Sequence, residues 1–420
     1  MLKSILKRSG GFAVAMVALA AFAVPNIARA AEKITMLTWN LPIIQKKVAG
    51  WTEEFSKLHP DIEIEWIDKK GSEWATFYQT QLAAGTPPDV VNIQGALWAE
   101  YAANDQMLDL GPYLSSDKDF SGRFVDGALE LWKTADGKNW MVPWYFNRTL
   151  LYLNKAMLEK AGIDNPPASF AEILEAAAKM KGEGTSGFIT TNFDWLYWPL
   201  FKSNGVDILN EDMTKAAFNT PKGLETLTAL ANATKDGSIN NISWTGRWVE
   251  PNTAFGARNI GMYLAPNSAL FWAAGKADWI NADNVEVVDM PGDWWTPNHH
   301  GWGVSKGTKH PDAAVDLIKI ITSDKWQEDM SNTFSILTLN KNVDPKLIER
   351  FKKEAPLKAA ILESAGSKLD KITGYLKMPK DARVKNAFWT SVQPALLGQV
   401  DPKKALDEAE AKVNRILARR

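Results

Sequence analysis

Between Ile34 and Val91 the chain switches repeatedly between two hydrophobic periodicities. Ile34 to Thr38 is apolar and β-prone, which predicts a first strand. Val48, Trp51, Phe55 and Leu58 recur at helical spacing within Gln45 to Leu58. Ile62, Ile64 and Trp66 then alternate with acids, as a half-buried strand does. Trp74 to Ala84 reads as a helix stopped at Gly85, with Pro87-Pro88 after it, and Val90-Val91 opens a third strand. Strands joined through helices lie parallel, because only a crossover of that length can return the chain to the same sheet edge. The fold class is therefore α/β.

The pattern continues with different punctuation. Met141 to Leu153 is one long extended apolar run. Ser169, with Glu172 three residues on, is a capping box opening a helix to Lys181. Phe188 to Thr191 is a predicted strand, and Thr220-Pro221 places an N-cap and a first-turn proline on another helix. Gly261–Leu264, Val285–Val288 and Gly301–Ser305 are further strands; a helix from His310 to Ser323 follows. The last third is mostly helical and closes with Asp401-Pro402 opening a charged helix. No repeat of 20–50 residues is present. Two α/β lobes with a helical tail are expected.

Residues 1–30 have the layout of an export leader. Lys3, Lys7 and Arg8 precede an apolar stretch from Phe12 to Val24, and Ala28-Arg29-Ala30 is a small-x-small cleavage site. The apolar stretch is shorter than the roughly 20 residues a spanning helix needs. Cleavage would leave Ala31 first, with no cysteine to carry a lipid. The expected location is the periplasm, as a freely soluble protein.

Composition removes several chemistries. The 420 residues include no Cys and four His. Thiol nucleophiles, iron–sulfur clusters and Cys-type zinc sites are excluded, and no metal or other cofactor is expected. A net charge of −1 gives no basic surface for nucleic acid. Gly182-Glu183-Gly184-Thr185-Ser186-Gly187 spells a dinucleotide fingerprint, but a helix precedes it and a strand follows, the reverse of what a pyrophosphate needs. Gly303-Val304-Ser305-Lys306-Gly307 spells a nucleophile elbow, yet the only downstream histidine, His310, is five residues away. His299-His300 is too isolated to argue for a metal.

What remains is a surplus of aromatics beside amides. There are 19 Trp. Sugar rings offer flat C–H faces and a rim of hydroxyls, so a sugar site needs aromatic faces and planar polar groups. Trp39-Asn40, Trp144 to Arg148, Trp195 with Trp198, Asn267 near Trp272, Trp294-Trp295 and His300-Gly301-Trp302 set those types side by side. Trp51, Trp66 and Trp326 fall in amphipathic patterns and are expected in the core.

Several segments together carry a resemblance to a known family. They are Gly85 to Val91, Leu108 to Leu114, Leu151 to Lys155, Ala161 to Phe170, Phe218 to Pro221, Gly303 to Gly307 with Pro311, and Ala387-Phe388-Trp389. In this order the chain resembles the family-1 extracellular solute-binding proteins of bacterial ABC importers, the group that includes maltose-binding protein. The resemblance implies a two-lobe, hinged α/β clamp of the type II periplasmic class with a helical C-terminal segment. The N-lobe would be 31–143 plus 301–341, and the C-lobe 144–300 plus 342–420. Trp389 and Trp195 match stacking positions, and Asn147 matches a hinge carboxylate. Asn267 falls where a sugar-facing Trp is placed, with Trp272 as a substitute. After Asp89-Val90-Val91 an expected Trp and acid–Arg pair are replaced by Asn92, Ile93 and Gln94, which argues against maltodextrin. The candidate ligand contacts are Trp39, Asn40, Trp74, Gln94, Asn147, Trp195, Asn267, Trp272, His300, Gly301, Trp302 and Trp389.

The implied function is a receptor, not an enzyme. It would capture a sugar or glycoside between the lobes and deliver it to the transmembrane permease of an ABC importer, acting as a monomer. A second reading keeps the family but has an anionic ligand, such as a sulfonated glycoside or a glycerol phosphodiester, met by Lys46, Arg148, Arg247 or the histidines. A third is an exported glycan hydrolase, which needs a carboxylate pair that sequence cannot place.

Overall fold

The computed structural model describes residues 32–39, 44–269, 273, 277–292, 298–367, 378 and 380–419. The expected leader, Asn40, Trp272, Trp294 and Trp295 lie outside these residues. Among the described residues no helix is long and apolar enough to cross a membrane.

Among the described residues nine strands form two sheets. They are β1 (Glu32–Trp39), β2 (Ile62–Lys69), β3 (Val90–Gln94), β4 (Val142–Asn147), β5 (Thr149–Asn154), β6 (Ser186–Ile189), β7 (Ile260–Pro266), β8 (Val285–Asp289) and β9 (Asn298–Val304). The first sheet has the order β2-β1-β3-β9-β4, and the second β6-β7-β5-β8. β2, β1 and β3 are parallel, as the alternating pattern requires, whereas β9 runs antiparallel to both β3 and β4. In the second sheet β5 is antiparallel to β7 and β8, and β6 is parallel to β7.

The long apolar run from Met141 is thus not one strand. It is β4 and β5, each buried along its whole length and each in a different sheet, joined by Arg148 alone. Tyr145–Asn147 and Asn298–His300 pair within the first sheet. The sheets therefore change at 147/149 and before 298, a few residues from the expected lobe boundaries at 143/144 and 300/301.

Local signals explain the helix starts. Ser169 Oγ accepts from Glu172 N, and Glu172 Oε2 accepts from Ala168 N. Thr220 Oγ1 accepts from Gly223 N, and an Asp401 carboxylate oxygen from Lys404 N. Each such cap satisfies a helix N–H that has no partner in its own helix, for about 1 kcal/mol. Ile173, Ala176, Ala177 and Met180 then bury one face of the Phe170–Met180 helix. Gly187 of β6 allows that helix to approach, because a Cβ there would stand 2.0 Å from Ala177 O.

The core follows the period of two along the strands. Leu150 and Tyr152 of β5 belong to a cluster that continues into the first sheet, while Leu151 and Leu153 belong to the cluster on the other face. Leu337 still pairs with Phe146 of β4, and the Pro356–Gly366 helix then packs on β8 and β5 of the second sheet.

Candidate ligand-binding cleft

Strand direction brings two sheet edges together. In the first sheet the C-terminal ends of β1, β2, β3 and β4 share an edge with the N-terminal end of β9. That edge carries Trp39, Lys69, Gln94, Asn147 and Asn298. In the second sheet the start of β5 lies level with the ends of β7, β8 and β6. That edge carries Thr149, Pro266, Asp289 and the turn after Ile189. Arg148 alone separates the two edges along the chain, so they meet at one joint. Crevices outside strand ends are where open α/β sheets take ligands.

The joint is tightly bonded. Arg148 N donates to Asn267 Oδ1 at 2.6 Å, and Asn267 N donates to Arg148 O at 3.0 Å. Asn267 Nδ2 donates to Ser335 O at 2.6 Å. The Arg148 guanidinium donates to Ser364 O and to Ser367 O and Oγ, and lies 3.2 Å from Asp289. Phe146 and Leu337 exchange backbone bonds beside it. Three separate passages of the chain are therefore pinned to one another. Asn267 is fully buried and fully engaged, which replaces the expected sugar contact with a structural role. Arg148 is likewise consumed and does not await an anion.

The first wall begins at Trp39, half-buried, whose ring centroid is 5.3 Å from that of His300. Tyr145 stacks on His300 at 4.5 Å and 22°. A register shift between Pro143 and Tyr145 makes this possible, because the extra residue, Trp144, re-aims the strand. Asn92 Nδ2 donates to Gly301 O, so its Oδ1 accepts from His300 Nδ1 at 3.0 Å. That fixes the proton on Nδ1 and leaves Nε2 as an acceptor. Burial, with His299 adjacent, holds His300 well below its usual pKa, so the ring is neutral. Gln94 Nε2 donates to Asn298 Oδ1 at 2.8 Å. Asn147, opposite Asn298 in the ladder, is 6% exposed, and its Oδ1 has no hydrogen-bond partner among the described residues.

The second wall stands on the turn after β6. Phe193 and Trp195 lie 5.8 Å apart at 21°, and Trp248 is 5.2 Å from Phe193 and 5.8 Å from Trp195. Thr149 Oγ1 donates to Trp195 O at 2.7 Å, which ties this cluster to the joint. Arg247 extends over Phe193 at 5.8 Å. Thr191 Oγ1 is buried without a partner among the described residues. Further along the same helix, Tyr197 stacks on half-buried Trp389 at 4.4 Å.

Other expected contacts are core. Trp74 packs on Tyr78 and Tyr101. Trp302 is fully buried between Trp51 and Trp144. Gly301 is required by packing, since a Cβ there would stand 2.5 Å from Met141 Cε. Phe193, Trp248 and Thr191 were not singled out from sequence, although Phe193 is two residues from Trp195 and Trp248 follows Arg247.

Ser305 Oγ donates to Pro88 O and pairs with the Tyr78 hydroxyl. Asp194 and Asp289 are each bound by a cation, Lys385 and Arg148. Among the described residues no three His, Asp or Glu side chains group as a metal site does.

Comparison with known proteins agrees with this architecture. A binding protein of Brucella abortus (strain 2308) is 24% identical over 353 residues, covering 80% of this chain and 82% of its own. The sn-glycerol-3-phosphate-binding periplasmic protein of Agrobacterium fabrum is 27% identical over 206 residues, 44% of this chain and 45% of its own. The crystal structure of an ABC transporter solute-binding protein of Thermotoga lettingae, bound with α-D-tagatose, superposes with a TM-score of 0.76 at 19% identity. It covers 92% of this chain and 100% of its own. The two-lobe periplasmic-binding-protein fold is shared with it. The family model for bacterial extracellular solute-binding proteins matches residues 38–328, and the chain belongs to that family.

Proposed function

We propose that this protein captures a sugar or glycoside at the joint between its two sheets and passes it to the permease of an ABC importer. The observation that carries the reading is the pairing of aromatic groups on both edges with two buried oxygens, Asn147 Oδ1 and Thr191 Oγ1, that lack partners. An unpaired buried polar atom costs about 1–3 kcal/mol, which a ligand hydroxyl would recover on binding. Flat rings beside them suit pyranose faces. Contacts made from both edges favour a closed form over an open one, since a ligand shifts a hinge only by its differential affinity. Relatives that bind tagatose or glycerol 3-phosphate lend support by analogy. In this reading the leader is removed after Ala30, and the mature monomer works in the periplasm.

Titration of the mature protein with mono- and oligosaccharides, followed by tryptophan fluorescence and calorimetry, tests it. A saturable response with the ligand recovered intact is expected. Conversion of the ligand during incubation would make the protein an enzyme and overturn the reading.

A further inference from the structure

We propose that the tryptophan block beside the first wall is built around internal water, held by the indole N–H groups of Trp51, Trp144 and Trp302 and by the side chains of Gln327 and Ser331. The assignment is independent of the solute that the cleft takes.

These residues come from four elements. Trp51 lies on the Gln45–Leu58 helix, Trp144 on β4, Trp302 on β9, and Gln327 and Ser331 on the Asp324–Phe334 helix. Trp51 is the hub. Its ring meets those of Trp144, Trp302 and Trp326 edge to face, at centroid distances of 6.3, 6.2 and 6.3 Å. Trp326 immediately precedes Gln327, and Met330 and Phe334 of that helix belong to the same core cluster as Trp51, Trp144 and Trp302. Lys47 bonds to Asp329 and so ties the two helices together. The block adjoins the first wall, since the Trp144 ring lies 6.4 Å from that of His300.

All five side chains are fully buried. Six of their polar atoms have no partner among the described residues: the three indole nitrogens, both ends of the Gln327 amide and Ser331 Oγ. The rings cannot satisfy one another, because an indole nitrogen only donates. Elsewhere the chain supplies an acceptor. Trp66 donates to Thr38 Oγ1 and Trp244 to Thr234 Oγ1, each at 2.7 Å, and Trp326 donates to Glu54 Oε2 at 3.1 Å. Ser331 also departs from habit. A helical hydroxyl usually turns back onto the preceding turn, as Thr333 does with Asp329 O at 2.7 Å.

Left dry, six such atoms would together carry a penalty that rivals the net stability of a whole domain. Water removes it. Each molecule both accepts and donates, and internal waters make about three hydrogen bonds apiece to groups of this kind. Gln327 and Ser331, one turn apart, share a helix face, so one water can bridge them. The indole donors then need only the remaining lone pairs. None of the five side chains opens to solvent, which suits water rather than a larger guest.

The test is a crystal structure of the mature protein at a resolution that shows ordered water, with relaxation dispersion of the water-oxygen resonance to count long-lived waters. Both are applied to wild type, Gln327→Met and Ser331→Ala. Density for water is expected within hydrogen-bond distance of Gln327 and of at least one of the three indole nitrogens. Gln327→Met keeps the volume and removes both amide atoms, so it should lose at least one long-lived water. Ser331→Ala, the milder change, should lose or displace the water beside it. Density that is empty around all six atoms in wild type overturns the proposal, as does density that joins them to another part of the chain. A raised melting temperature in Gln327→Met with an unchanged water count would show a dry block and overturn it as well.

Discussion

Arg148 and Asn267 clasp each other in both directions, the arginine N–H to the asparagine side chain at 2.6 Å and the asparagine N–H to the arginine carbonyl at 3.0 Å. The first residue is the single link between β4 and β5; the second follows the last residue of β7. A third passage joins them through Ser335 O. Replacing Asn267 with Ala deprives Arg148 N and Ser335 O of their partners inside a closed site. The expected loss is about 2–4 kcal/mol of unfolding free energy, read from urea denaturation. A loss below about 0.5 kcal/mol would show that the joint does not depend on this side chain.

The tryptophans separate into two classes with different readouts. Trp302→Ala removes a fully buried ring packed on Trp51 and Trp144, and should cost about 3–5 kcal/mol of stability. Trp195→Ala, at the Phe193–Trp248 cluster, should instead weaken ligand binding by about two- to twelvefold, as loss of roughly 0.5–1.5 kcal/mol of ring contact implies. Thermal melts and calorimetry on both variants distinguish the classes. Equal affinity in wild type and Trp195→Ala would place that ring with the core.

Asn147→Leu tests the unpartnered oxygen. The substitution removes a buried acceptor that has no partner among the described residues, so the melting temperature should hold or rise. Ligand affinity should fall by about tenfold, the worth of one buried hydrogen bond. Affinity that stays constant means the amide faces away from the ligand.

Asp344 supplies a pH signature independent of the ligand. Its carboxylate accepts from Thr338 N at 3.2 Å and Thr338 Oγ1 at 2.8 Å. Burial nonetheless dominates and pushes it up to about 6 from 3.8. The folded chain therefore binds this proton more tightly than the unfolded chain, and the group's contribution to stability grows as pH falls through 6. Relative to Asp344→Asn, the wild type should gain about 1 kcal/mol between pH 7 and pH 5. Urea denaturation of both proteins at the two pH values measures the difference, and no change would show that the carboxyl does not titrate there.

Much of the architecture was legible in the sequence because its signals are local. Ser169, Thr220 and Asp401 each act within three residues, and the alternation from Ile34 to Val91 reports burial one turn or one strand at a time. Those features determined the α/β class, the parallel start of the first sheet and the helical C-terminal third. The tertiary structure alone decided where the run from Met141 to Leu153 leaves one sheet for the other, because both halves are equally buried and apolar. It also decided that Trp302 is core, packed between Trp51 and Trp144, and that Trp195 clusters with Phe193 and Trp248. A tryptophan's neighbours in sequence do not reveal which face of the sheet it occupies or what packs on it. The clasp between Arg148 and Asn267 spans 119 positions. A hydrogen bond over that separation is set by how β5 and β7 pair, which neither residue's local sequence encodes.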